Sequence, residues 1–127
     1  MNSLRQTRPD LVHHLVPDAL WELFRQIVPV TVVRRPQGGG RRRADDRQVL
    51  AAIVYVARTD RAWRQIPESF GVSWPTVYRR FAQWRQAQVW TRLLQLVAER
   101  HHDNDELNWS RPVIGAVYSR AARDDGR

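Results

Sequence analysis

The stretch GVSWPTVYRRFAQW, residues 71–84, decides how this chain folds. Glycine suits a left-handed turn, and serine is a preferred residue at the start of a helix. Pro75 is tolerated in a first helical turn because its missing N–H would have no intrahelical partner there. We therefore predict that a turn at Gly71 leads into a helix that Ser73 caps.

The predicted helix has two chemically different faces. With a rotation of about 100° per residue, Val77, Phe81 and Trp84 fall within one narrow arc, which we predict to be core. The opposite arc carries side chains that suit the major groove, where arginine pairs with guanine, glutamine pairs with adenine and the threonine methyl contacts thymine. The residues predicted to contact DNA from this helix are Ser73, Trp74, Thr76, Arg79, Arg80 and Gln83.

The residues before Gly71 complete a known pattern. The segment AWRQIPESF, residues 62–70, predicts a brief helix with Pro67 in its first turn. A short helix, a turn and a second helix that exposes donors form a helix-turn-helix, whose second helix enters the major groove. Arg80 occupies a position that packs inward in many such helices, which makes Arg79 the stronger candidate for reading a base.

Apolar periodicity predicts three further helices. One lies between Pro17 and Pro29, a second runs through RQVLAAIVYVAR (47–58) with Asp45 and Asp46 as candidate caps, and a third is VWTRLLQLVAER (89–100). The second is apolar almost all round, which is typical of the buried centre of a bundle. The predicted fold class is all-α, a small bundle of about five helices that contains the helix-turn-helix and has flexible termini.

The charge of the chain favours a polyanionic partner. Its formal net charge is +8, and all 21 basic residues are arginine. Such a balance indicates double-stranded DNA. In the loop at 34–44, three glycines would let Arg41, Arg42 and Arg43 follow the phosphates or enter a minor groove, although a solvated linker explains the same composition. Arg47 is also predicted to meet phosphate.

Several classes of protein are excluded by what the sequence lacks. Without cysteine there is neither a disulfide nor a thiolate zinc site. The longest apolar run, 49–57, is far shorter than the roughly 20 residues of a membrane span, and we predict a cytoplasmic protein. The histidines at 101 and 102 point about 100° apart on a helix, so no metal site is predicted. Asp124 and Asp125 are predicted to be solvated.

The order of the segments resembles a known family. LWELFRQIVP (20–29), the Gly-Arg loop, DDRQVLAAIVYVARTDRAWRQIPESFG (45–71), WPTVYRRFAQW (74–84) and VWTRLLQLV (89–97) occur in this order. Together they resemble the N-terminal region of bacterial insertion-element transposases of the insertion-sequence-five group. The resemblance implies a helical DNA-binding domain ahead of an RNase-H-like catalytic domain, with terminal inverted repeats of the mobile element as the DNA partner.

The resemblance also implies that the catalytic part is missing. In the family, a Trp-Ser pair and a short apolar strand precede the first catalytic Asp, but NWSRPVIGAVYSRA (108–121) has Gly115 at that position. Mg²⁺ held by carboxylates is implied only for a full-length transposase, so we expect no catalytic residue, metal or cofactor in this chain. The expected regions are a flexible N-terminus (1–15), a DNA-binding domain (16–100), and a loop with a disordered start of a catalytic domain (101–127).

The predicted function is therefore that of a transposase DNA-binding domain that binds terminal inverted repeats during DNA transposition. Two alternatives stay open. One is a stand-alone helix-turn-helix transcriptional regulator, and the other is a protein-interaction module that inhibits an intact transposase. A catalytic transposase part and a second copy of the chain are further candidate partners, and a membrane is not.

Overall fold

The computed structural model describes residues 9–29 and 45–125, and this part of the chain is built from helices without a strand. Six α-helices follow one another as α1 Pro9–Leu15, α2 Asp18–Ile27, α3 Asp46–Thr59, α4 Trp74–Gln86, α5 Val89–Arg100 and α6 Asp105–Asp125. Single 3₁₀ turns occur at Trp63–Gln65, Glu68–Phe70 and His101–Asp103. The predicted all-α class is confirmed, with one α-helix at each end that the sequence did not predict.

Helix α3 lies at the centre of the bundle and packs against α1, α4 and α6. Its start is fixed locally, because the Asp45 side chain accepts from the N–H of Arg47 at 3.4 Å, as predicted for a cap. Residues 49–54 are fully buried on every side of the helix. The nearly continuous apolar run therefore has the central position that was predicted for it.

Large aromatic rings join the remaining helices to this centre. The Phe24 ring of α2 meets Trp84 of α4 edge-on, with centroids 5.0 Å apart, and lies 6.2 Å from Trp90 of α5. Trp90 also lies 5.7 Å from Phe81 of α4. Four rings from three helices thus form one cluster, and such aromatic pairs add about 0.5–1.5 kcal/mol each beyond the area that they bury.

The N-terminal region was predicted to be flexible through residue 15, and this is wrong for 9–15. These residues form α1, which packs on α3. Val12 and Leu15 are buried, and Val16 beyond the helix is fully buried. The apolar side chains of a short helix are enough to hold it here because they reach the bundle centre.

The C-terminal region, residues 101–127, was predicted to be a loop followed by a disordered segment, and this is wrong for 105–125. Residues 105–125 form the longest helix of the described chain, packed against α5 and α3. Buried side chains recur along it at three- and four-residue spacing, namely Leu107, Ser110, Ile114, Val117 and Ala121. The apolar segment around Gly115 is therefore helical and belongs to the core of the bundle.

Candidate nucleic-acid interface

Helix α4 begins after a tight turn whose shape depends on glycine. Pro67 precedes the 3₁₀ turn Glu68–Phe70, and Gly71 ends it in the left-handed region with φ 77°. Ser73 then has the extended backbone of a helix cap, and Pro75 lies in the first turn of α4. Two single 3₁₀ turns, Trp63–Gln65 and Glu68–Phe70, thus replace the predicted brief helix, and Pro67 precedes the second turn instead of lying within it. The predicted end at Gly71 and the start of α4 after Ser73 are confirmed.

Ser73 occupies the cap position without capping the backbone. Its hydroxyl donates to the Thr76 hydroxyl at 3.0 Å, and its side chain makes no hydrogen bond to an N–H of α4. The predicted side-chain cap is therefore wrong. Because a helix start carries several N–H groups without intrahelical partners, the first turn of α4 keeps donors that point away from the helix.

The inner face of α4 is the predicted one. Val77, Phe81 and Trp84 are all buried. The helix ends at Gln86, and Gln88 adopts a left-handed conformation with φ 63° before α5 begins. The apolar face of α4 is therefore committed to the bundle, and only the other face is available to a partner.

The outer face of α4 carries most of the side chains predicted to contact DNA. Arg79 and Gln83 are exposed, and Thr76 is half-buried beside them. Trp74, in the first turn, has 43% of its surface exposed, which is unusual for so large an apolar residue. Thr76, Arg79 and Gln83 therefore share one side of α4, whereas Trp74 lies roughly 140–180° away from them around the helix, on the side of Tyr78.

Arg80 does not belong to this surface. It is only 7% exposed, and its Nη1 donates to Asp46 Oδ1 of α3 at 2.8 Å. The prediction that Arg80 lies on the outer face is wrong, because the start of α3 places a carboxylate beneath α4 at this position. The ion pair joins the two helices in a setting where removing one partner leaves a poorly solvated charge.

Arg47 is likewise engaged within the fold. Its Nη2 donates to the carbonyl oxygen of Val16 at 2.7 Å and to Asp18 Oδ1 at 2.8 Å, and its Nε donates to the same carbonyl at 3.2 Å. The guanidinium also lies 5.7 Å from the centroid of the Trp21 ring. Its donors join α3 to the start of α2, and the expectation that Arg47 meets phosphate stays a prediction.

The hydrogen bond from Arg47 changes the acidity of its partner. The Arg47 guanidinium beside Asp18 holds the pKa of that carboxyl below its ordinary value of 3.8.

The remaining predicted phosphate contacts, Arg41, Arg42 and Arg43, lie outside the described residues, so they stay predictions.

The protein family follows from the sequence comparisons. A family profile described as "Putative transposase of IS4/5 family (DUF4096)" matches residues 16–94. The "Insertion element IS402 uncharacterized 16.2 kDa protein" of Burkholderia cepacia is 32% identical over 108 residues, which cover 84% of this chain and 74% of that protein. The chain belongs to the IS4/5 transposase family. The predicted resemblance is confirmed, and no solved structure matches the chain.

The region that matches the IS4/5 family contains α2, α3 and the whole of α4. It ends within α5, so α6 lies beyond the matched residues. The surface of α4 described above thus falls inside the part of the chain that defines the family.

Four residues beside α4 were missed as a group by the sequence analysis. Trp63, Tyr78, Arg120 and Asp124 line a groove of about 330 Å³ together with Trp74. Asp124 accepts from the indole Nε1 of Trp63 at 3.4 Å, so the prediction that Asp124 is solvated is wrong. No sequence signal links these positions, because α6 folds back across the bundle to bring Asp124 to Trp63.

Metal ligands and membrane spans were also sought in the described ranges 9–29 and 45–125. No group of three or more histidine or acidic side chains there is arranged to hold a metal ion. None of the helices in these ranges is long and apolar enough to cross a membrane.

Proposed function

We propose that this chain is a DNA-binding part of an IS4/5-family transposase, that it binds the terminal inverted repeats of its element, and that it performs no catalysis itself. The observation that carries the proposal is the outer face of α4, where Arg79, Gln83 and Thr76 are accessible on a helix whose opposite face is buried, with Trp74 exposed separately in the first turn. A turn at Gly71 precedes this helix, as in a helix-turn-helix.

The roles follow from the chemistry of each side chain. Arg79 donates two parallel hydrogen bonds to guanine, Gln83 pairs with adenine, and Thr76 and Trp74 offer apolar contacts to thymine. The N–H groups at the start of α4, which Ser73 does not cap, approach a phosphate. Arg41, Arg42 and Arg43 contact phosphates or a minor groove. Arg80 and Arg47 support the helices from within, and Arg80 does not contact DNA.

The absence of catalysis is supported at the position where the family resemblance places its first catalytic Asp. Gly115 stands there, and it supplies no carboxylate oxygen for Mg²⁺. It also lies in the middle of α6 instead of on a strand. The residues present at this position therefore do not fit the catalytic metal of the family.

The test is equilibrium binding to a duplex that carries the inverted repeat flanking the gene, compared with a scrambled duplex across a salt series. We expect a preference of at least several hundredfold for the repeat, because specific sites typically bind at least about 10³-fold more tightly than other DNA. Equal and steeply salt-dependent binding to both duplexes would show that binding depends on the charge of the arginines and not on the DNA sequence. No binding at low salt would favour the protein-interaction alternative.

A pair of variants separates base reading from charge. Arg79→Ala should lower the affinity for the repeat by about 1–3 kcal/mol more than for the scrambled duplex, since a bidentate arginine contact discriminates by that amount. Arg92→Ala removes the same charge from an exposed position on α5 and should weaken both duplexes alike. Equal losses for the two variants on both duplexes would refute the role of Arg79.

A further inference from the structure

Trp63 lies between α4 and α6, and α6 is outside the residues that match the family. Its ring meets Tyr78 of α4 edge-on at 5.5 Å and lies 4.7 Å from the ring of Phe81, also on α4. These two residues flank Arg79 and its buried neighbour Arg80 along the helix. The Trp63 ring therefore packs directly against the segment of α4 that carries Arg79.

The other side of Trp63 is covered by the C-terminal end of α6. The Arg120 guanidinium lies 5.0 Å from the ring centroid, and Asp124 accepts from the indole Nε1 at 3.4 Å. Arg120 is in turn held by carboxylates, with its Nε 3.7 Å from Asp124 and its Nη1 3.8 Å from Asp60. Arg123 contacts the same Asp60 carboxylate at 3.3 Å. Asp60 ends α3, so the cluster ties α6 to the end of the central helix.

We propose that Arg120 and Asp124 are positioning residues for DNA recognition, which clamp Trp63 and thereby fix the rotation of α4. The proposal rests on the proposed function, because it assumes that α4 reads bases. Hydrogen bonds to base edges need donor and acceptor within about 3 Å, so a small rotation of α4 removes Arg79 from its base. Helix α6 is then an integral part of the DNA-binding unit, although it lies outside the residues that define the family.

The charges of Arg120 and Asp124 allow an experiment to distinguish a positioning role from direct binding of Arg120 to DNA. If Arg120 simply bound phosphate, Asp124→Asn would tighten binding to all DNA, because it removes a negative charge. If the clamp positions α4, the same variant lowers the preference for the repeat over the scrambled duplex by about tenfold, which is part of one bidentate base contact. Trp63→Phe keeps a ring, removes the indole donor and should have the same effect.

The experiment measures this preference in the full chain for Asp124→Asn, Trp63→Phe and the control Val113→Ala, well below each unfolding midpoint. Val113 is buried in α6 two turns before Arg120, so its truncation destabilises the helix without touching Trp63. We expect the control to unfold earlier and to keep the full preference. An unchanged preference in Asp124→Asn and Trp63→Phe, or an equal drop in Val113→Ala, would overturn the proposal.

Hydrogen exchange of the α4 amides decides the matter without DNA. Loss of the clamp should speed exchange at residues 77–82 in Asp124→Asn by more than its loss of global stability explains, whereas Val113→Ala should speed exchange there by no more than its own loss of global stability. If the wild-type chain fails to distinguish the two duplexes, the proposed function fails and the exchange data still report on the clamp. If it does distinguish them and exchange in α4 follows global stability in both variants, the clamp fails and the proposed function stands.

Discussion

The outer face of α4 and the junction between α4 and α3 each contain an arginine, which is exposed to solvent on the outer face and buried at the junction. Arg79 is exposed on the outer face, whereas Arg80, its neighbour in the chain, is buried against Asp46 with an N–O distance of 2.8 Å. The first has a side chain able to reach a partner molecule. The second has a guanidinium that is already hydrogen-bonded inside the protein. An arginine's role in this fold is therefore set by the carboxylates that the other helices bring near it.

The largest expected difference between the two regions is in stability. Arg80→Ala should lower the free energy of unfolding by roughly 2–4 kcal/mol, since it leaves the Asp46 carboxylate without its buried partner, and Asp46 is only partly accessible to water. Arg79→Ala should change it by less than about 0.5 kcal/mol, as is usual for exposed side chains. Urea denaturation of both variants measures the contrast. If Arg80→Ala lost as little stability as Arg79→Ala, the Arg80–Asp46 pair would contribute little to the fold.

A smaller contrast in stability is expected between Gly71, in the turn before α4, and Gly115, in the middle of α6. Gly71 has φ 77°, and an added Cβ would lie 3.2 Å from Gln48 Nε2, the atom that donates to the Phe70 carbonyl. Gly71→Ala should therefore cost about 1–2 kcal/mol. Gly115 lies within α6 with open space around the Cβ position, so Gly115→Ala should stabilise by up to about 1 kcal/mol.

Thermal or urea unfolding of the two alanine variants tests this pair. Opposite signs are expected, and the Gly71 variant should also lose DNA preference if the turn positions α4. A destabilised Gly115→Ala would show that α6 is not helical at its centre in solution.

The starts of α4 and α6 differ in side-chain capping, which should change the free energy of unfolding by about 1 kcal/mol. Asn104 Oδ1 accepts from the N–H groups of Glu106 at 2.8 Å and Leu107 at 3.4 Å, whereas Ser73 makes no such bond. Asn104→Ala should cost about 1 kcal/mol of stability, the usual value of a cap. Ser73→Ala should cost much less, because the Ser73 hydroxyl bonds only to that of Thr76. Equal stability losses would mean that Ser73 caps α4 in solution.

The elements that the sequence predicted correctly depend on local patterns. Asp45 before an apolar run specified the start of α3, and Gly71 followed by Ser73 and Pro75 specified the turn into α4. The inner face of α4 followed from the spacing of its apolar residues. Each of these features is determined within a few residues along the chain.

Helix α6 was missed although its pattern was present. Leu107, Ser110, Ile114, Val117 and Ala121 have helical spacing, but two of the five are small, and Pro112 lies inside the helix. The family resemblance also suggested a strand there. The helix forms because its small residues allow close packing on α5 and α3, which is a property of the whole bundle.

The roles of Arg80 and Arg47 were not predictable for a different reason. Their partners lie 34 and about 30 residues away in the chain, at Asp46 and at Val16 with Asp18. A helical wheel places a side chain on a face without saying which carboxylate a distant helix brings to it. The structure was therefore needed to show that Arg80 is buried and that Arg47 is hydrogen-bonded within the fold.

The smallest expected effect is the pH dependence of the Arg47–Asp18 pair, which is an exposed counterpart of the buried pair at the junction. Because Arg47 lowers the pKa of Asp18 from 3.8, the pair stabilises the fold above that value and the contribution is lost as the pH falls through the lowered pKa. Asp18→Asn should thus be slightly less stable than the wild type at pH 7 and equal to it once the pH has fallen well below the lowered pKa. The Asp18 side chain is 79% exposed, so 1 M salt should shrink the difference further. A difference of the same size at all pH values would show that the asparagine disturbs the start of α2 by its shape and not by its charge.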